Sequence, residues 1–131
     1  MPNLTYGECI VLIEAGHKFA AKEKSRPVSV AVVDDHGDLI AFGRMEGAPI
    51  RTCANAMNKA FTAIYMGRDT HDFNKMLSET GMQAEWYGDT RVTGLLGGML
   101  IKRQDTVVGA VGVSGLLPNE DIEVARHIVS R

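Results

Sequence analysis

The chain has 131 residues, 45% of them hydrophobic and 23% charged, with a formal net charge of −2. That is the make-up of one ordinary globular domain spanning 1–131, and it gives no electrostatic case for nucleic acid or an anionic membrane as partner. No apolar run approaches the roughly 18 residues of a membrane helix, and the opening MPNLTYGECI lacks a basic stretch followed by an apolar core, so the expectation is a cytoplasmic protein with Cys9 and Cys53 as free thiols.

Thr5-Tyr6-Gly7-Glu8 has the form of a capping box and predicts a helix running to about Lys22. Cys9, Leu12, Ile13, Gly16 and Ala20 make its apolar stripe, with His17 at the boundary. Pro27 cannot continue a helix and biases Arg26 to an extended conformation. Val28–Val33, β-branched and small, then reads as a strand. Asp34–Asp38 turns, and Leu39–Gly43 returns as the second strand of a hairpin. Arg44-Met45-Glu46-Gly47-Ala48 follows as a loop at the strand end, where scaffolds commonly present ligand contacts.

Pro49 opens the second helix and Gly67 ends it. Cys53, Met57, Ala60, Phe61 and Ile64 form one face; Asn55, Lys59 and Thr62 form another. Spacing alone favours Lys59 as a solvated helix lysine over a cation facing a pocket beside the Arg44–Glu46 loop. Asp69 or Thr70 caps a third helix from His71 to about Ser78. His71, in its first turn, is either a donor at a site or an exposed helix-start residue.

Glu79–Gly98 is the least regular stretch, with five glycines and the single tryptophan. A loop of this length in a compact domain is usually functional. Trp86-Tyr87 reads equally as an aromatic wall of a ligand site and as a plug at a core edge or subunit contact. Gly97-Gly98 before a strand points to close backbone approach. Met99–Lys102, a turn at Gln104-Asp105, and Val107–Val113 make a second hairpin. Pro118 starts the last helix, with Glu120 and Asp121 as first-turn acids, Ile122, Val124, Ala125, Ile128 and Val129 as its apolar positions, and His127 exposed.

The order is helix, two strands, two helices, two or three strands, helix, which predicts an α+β fold with an antiparallel sheet and helices packed on it. Common nucleophile, phosphate-loop and dinucleotide motifs are absent, and the four histidines show no metal-ligand spacing.

The segments Val30–Leu39, Arg44–Pro49, Asn58–Ala63, Gly97-Gly98 and Val108–Gly115 resemble, in order and spacing, the signature of the GlcG/HbpS-like family, which also includes a domain fused to PduO-type corrinoid adenosyltransferases. The resemblance spans about Thr5 to Ile128. It implies a profilin-like α+β fold, assembly as a homo-oligomer (a dimer or larger), and a small-molecule ligand, with heme or a corrinoid as the cofactor class. It transfers no axial ligand and no metal site. The positions matching shared pocket residues are Arg44, Met45, Glu46, Lys59, Gly97 and Gly98; Glu46 stands where aspartate is frequent. The resemblance brings the pocket reading of Lys59 level with the solvated one.

Two active readings follow. The first is a binding protein holding heme, a corrinoid or a smaller anion, with Lys59 and Arg44 facing carboxylates and Met45, Met82, Trp86 and Tyr87 offering an apolar wall. The second is a small catabolic isomerase, lyase or hydrolase acting on an oxo-acid or ring-cleavage product, with Lys59 binding a carboxylate and Glu46 or His71 moving a proton. A structural or assembly role without a ligand is the third. Both active readings expect Arg44, Glu46 and Lys59 to converge on one cavity.

Overall fold

The computed structural model describes residues 3–130. Helix α1 (Tyr6–Phe19) begins with the expected capping box: Glu8 N–H donates to Thr5 Oγ1 at 3.1 Å, and Thr5 N–H donates to Glu8 Oε1 at 2.8 Å. A wide π-type turn, Ala20–Lys24, prolongs it and stops at Ser25, whose φ is 54°. Strands β1 (Ser29–Asp34) and β2 (Leu39–Arg44) form the first hairpin. Helices α2 (Arg51–Met66) and α3 (Thr70–Thr80) follow, α2 starting two residues after the proline and closing on Gly67 in the left-handed region. Strands β3 (Gly98–Arg103) and β4 (Thr106–Ser114) make the second hairpin, and α4 (Pro118–Val129) closes the chain. Gln104 and Asp105 both take positive φ, as a two-residue turn matched to strand twist requires.

The four strands form one antiparallel sheet in the order β2-β1-β4-β3. β1 and β4 are central and covered on both faces. On one face Val28, Val30, Val32, Val111 and Val113 meet Cys9 and Ile13 of α1 and Val124, Ala125 and Ile128 of α4. On the other, Val33 and Ala110 meet Ala60 and Ala63 of α2. That second face is paved with small residues, and the reason is close approach. A Cβ at Gly112 would stand 1.9 Å from the Ala56 carbonyl oxygen; one at Gly98 would stand 2.3 Å from that of Lys59. These two glycines pair across β3 and β4, so α2 lies almost on the sheet backbone.

His17 stands at the boundary of α1 as expected, and one expectation about α4 changes. His17 is half-buried and its Nε2–H donates to the Gly43 carbonyl at 3.0 Å. His127 is not exposed: it is half-buried and stacks on Phe19 with ring centroids 4.5 Å apart, because the end of α4 lies against α1. Cys9 and Cys53 are free, and no helix is long and apolar enough to cross a membrane among the described residues.

Candidate functional site

The close seating of α2 decides the fate of Lys59. Its backbone carbonyl lies on Gly98, and its side chain reaches the Val113 carbonyl near the end of β4. Lys59 is therefore 3% exposed rather than solvated. Its ammonium donates to the Val113 carbonyl at 2.8 Å and to Asp121 Oδ2 at 3.1 Å. Asp121 is equally buried, and its other oxygen accepts the Leu116 N–H at 3.1 Å, so one carboxylate holds both the lysine and the loop entering α4. Burial pushes the Lys59 ammonium below the ordinary lysine value, with Asp121 pulling the other way. Burial likewise pushes the Asp121 carboxyl above the ordinary aspartate value, against Lys59 and the neighbouring amides.

The Gly97-Gly98 turn packs on this pair. Gly97 has φ 126°, and a Cβ there would stand 2.5 Å from the Val113 oxygen and 3.2 Å from both Asp121 and Lys59 carbons. The buried Thr70 hydroxyl accepts both glycine amides, at 3.1 and 2.9 Å, fixing the turn from α3. Asp69 is the residue before α3, but its carboxylate accepts the Leu100 N–H at 2.8 Å rather than an amide of its own helix.

Lys59 and Asp121 form the floor of a cleft of about 310 Å3. Arg51, Thr52 and Asn55 of α2, Ser114–Pro118 of the β4–α4 connection, Leu95, Leu96 and Arg26 line the rest of it. Thr52 is tied to Ser29 and Pro49. Arg26, Arg51, Asn55 and Ser114 have no side-chain hydrogen bond or ion pair among the described residues, and Lys59 uses two of its three donors. Leu95 and Leu117 stand 47% and 59% exposed at the mouth. The cleft thus offers three cations against one anion, two neutral hydrogen-bonding groups and an apolar rim. No histidine, cysteine or methionine lines it among the described residues.

The single cavity expected around Arg44, Glu46 and Lys59 is divided in two. Met45 and Glu46 line a shallower hollow with Ser25, Arg26 and Pro27, and only Arg26 belongs to both. The cause is the hairpin: Arg44 leaves the edge strand β2 and spends a guanidinium N–H on the Ala48 carbonyl at 3.0 Å, while Met45 Sδ accepts the Val28 N–H at 3.3 Å. Trp86 is 60% exposed on a short turn, Ala84–Trp86, and Met82 is exposed too; neither lines the cleft. Tyr87 packs edge-on against Phe73 instead, at 5.3 Å. His71 is exposed on α3. Gly97 and Gly98 shape the floor from behind, as backbone close to Lys59.

Sequence reasoning missed Asp121, Arg26, Arg51, Asn55 and Ser114. A signal for Asp121 was present: Asp121, Val124, Ala125 and Ile128 share one helical face, so an acid sat on the buried stripe. Three larger hollows lie elsewhere: one of about 350 Å3 beside Tyr87 and Asp89, and two of about 410 Å3 over α1. Of the two over α1, one sets Lys18 and Lys22 against Glu14 and Glu23, a balanced surface; the other is chiefly apolar.

An antiparallel sheet with helices on both faces and a basic cleft at its end defines the class, an α+β domain with a ligand-sized recess. Residues 4–130 match the family model described as "Haem degrading protein HbpS-like", and the chain belongs to that HbpS-like family. It is 33% identical over 103 residues to Protein GlcG of Escherichia coli, covering 79% of this chain and 75% of GlcG. It is 27% identical over 114 residues to the corrinoid adenosyltransferase PduO of Salmonella typhimurium, covering 84% of this chain and 33% of PduO. Among solved structures it is similar to Klebsiella pneumoniae protein ORFY (TM-score 0.90, 25% identity, 99% and 91% of the two chains). It is also similar to PduOC in a complex with heme (TM-score 0.86, 26% identity, 98% and 94%).

Proposed function

We propose that this protein binds heme, or a tetrapyrrole of the same acidic, flat and largely apolar chemistry, at the cleft above Lys59. The observation that carries this reading is the set of partnerless polar groups. Arg26, Arg51, Asn55 and Ser114 converge on one recess without protein partners among the described residues, beneath exposed Leu95 and Leu117. Arg26 and Arg51 are exposed and Asn55 is half-buried, so all three can reach a ligand, and a recess with a few convergent polar groups and an apolar wall is the usual form of a small-molecule site. Two guanidiniums suit carboxylates, which they engage through paired N–H donors. The leucines suit a macrocycle face. The heme complex of the similar PduOC supports the same ligand class. A corrinoid, whose periphery carries mostly neutral amides, gives the arginines less to hold.

Heme in this cleft would supply a planar ring and two propionates; the residues present answer those features. Arg26 and Arg51 offer guanidiniums to a carboxylate at the mouth, Asn55 and Ser114 add neutral hydrogen bonds, and Leu95 and Leu117 shed water from the ring. The donor set contains no side chain suited to iron among the described residues, so recognition here runs through the ligand's edge and face.

The test is a hemin titration followed in the Soret band, on the wild type and on Arg26→Ala/Arg51→Ala. A charge-assisted hydrogen bond is worth about 1.5–3 kcal/mol, so removing both guanidiniums should weaken binding by at least about tenfold. No spectral change at micromolar hemin with the wild type, or equal affinity of the double variant, contradicts the reading.

A further inference from the structure

Resting on the tetrapyrrole reading, we infer that the cleft recognises the carboxylates of its ligand rather than its metal, and that one carboxylate descends to the buried floor, onto the free donor of Lys59 and the Ser114 hydroxyl, while a second stays at the arginines of the mouth. The class of ligand is therefore an organic dianion, metallated or not.

The floor and the mouth differ in what they can bind. The Lys59 ammonium is almost fully buried, and two of its donors are committed, to Val113 and Asp121. An ammonium carries three donors. The third has no partner among the described residues, and the lysine borders the cleft. Ser114 is 5% exposed, borders the same space, and makes no side-chain hydrogen bond among the described residues. A buried cation with one donor left over and a hydroxyl open to the same cleft match an entering oxyanion. Asp121 already offsets one positive charge. With Arg26 and Arg51 added, the cleft keeps a formal surplus of two, which two carboxylates neutralise and one does not. The absence of histidine, cysteine and methionine from the described lining leaves the metal without a partner there.

The experiment compares four ligands on the intact protein by calorimetry and intrinsic fluorescence quenching: hemin, metal-free protoporphyrin, the dimethyl ester of hemin, and glutarate as a small dicarboxylate. The expected result is that metal-free protoporphyrin binds within about threefold of hemin, and that esterification weakens binding by at least about tenfold. Ser114→Ala, a small change that spares the Lys59–Asp121 pair, should weaken both acids by about threefold to tenfold and leave the ester unaffected. Glutarate displacing the porphyrin extends the ligand class to small dicarboxylates, and failure to displace it confines the class to porphyrins. Hemin binding with no binding of the metal-free acid, or an ester that binds as well as the acid, overturns this inference while heme binding stands. No binding of any porphyrin overturns both.

Discussion

Replacing Asp121 by alanine should be the most damaging conservative-looking change at the site. The Lys59 and Asp121 charges stand 3.1 Å apart, and both side chains are 4% exposed. At an effective dielectric constant of about 20, a pair at that distance attracts by about 5 kcal/mol. Desolvating each ion costs several kcal/mol, so the intact pair is close to neutral in net stability. Truncation changes that balance. It leaves the ammonium in the protein with only the Val113 carbonyl as partner and strands the Leu116 amide. The expected loss is about 3–5 kcal/mol, read as a lower midpoint at constant slope in urea denaturation. The double replacement Lys59→Met/Asp121→Leu removes both charges and should recover most of that loss, to within about 2 kcal/mol of wild type. A loss below about 1 kcal/mol for Asp121→Ala, or strict additivity in the double variant, would refute the picture of a desolvated pair.

Thr70→Val removes the acceptor of the Gly97 and Gly98 amides and should cost about 1–3 kcal/mol, with faster amide exchange at both glycines. Gly112→Ala places a methyl 1.9 Å from the Ala56 oxygen and must push α2 off the sheet, so it should cost more than about 2 kcal/mol and weaken ligand binding as well. An alanine tolerated there without loss would show that α2 does not lie as close as described.

The elements were legible because their punctuation is local. The capping box at Thr5, Pro27, Gly67, the Gln104-Asp105 turn and Pro118 each act within a few residues, and each stands where an element begins or ends. The face of α2 is legible in part: Ala60 and Phe61 of the expected stripe are buried, but Cys53, Met57 and Ile64 are only half-buried, whereas Thr52, Ala56, Lys59, Thr62 and Ala63 are buried. Where the helix lies on glycines it buries small residues that a hydrophobicity count passes over. For Lys59, spacing shows only that it leaves the apolar stripe. Its partner is 62 residues away in sequence, and no local pattern links the two. Arg44, Met45, Glu46 and Trp86 were drawn by loop position and type, but the hairpin and the Ala84–Trp86 turn aim them elsewhere. The cleft is assembled from the start of α2, the β4–α4 loop and Arg26, three places that only the sheet order brings together.

The location of the ligand is best decided by amide chemical-shift mapping with metal-free protoporphyrin, which is diamagnetic and leaves nearby signals visible. Shifts should concentrate at Arg51–Asn55, at Leu95-Leu96 and at Ser114–Leu117, which line the cleft with Lys59. Shifts confined to Met45-Glu46, to the surface of α1 with His127, or to Trp86 would place the ligand elsewhere and contradict the account.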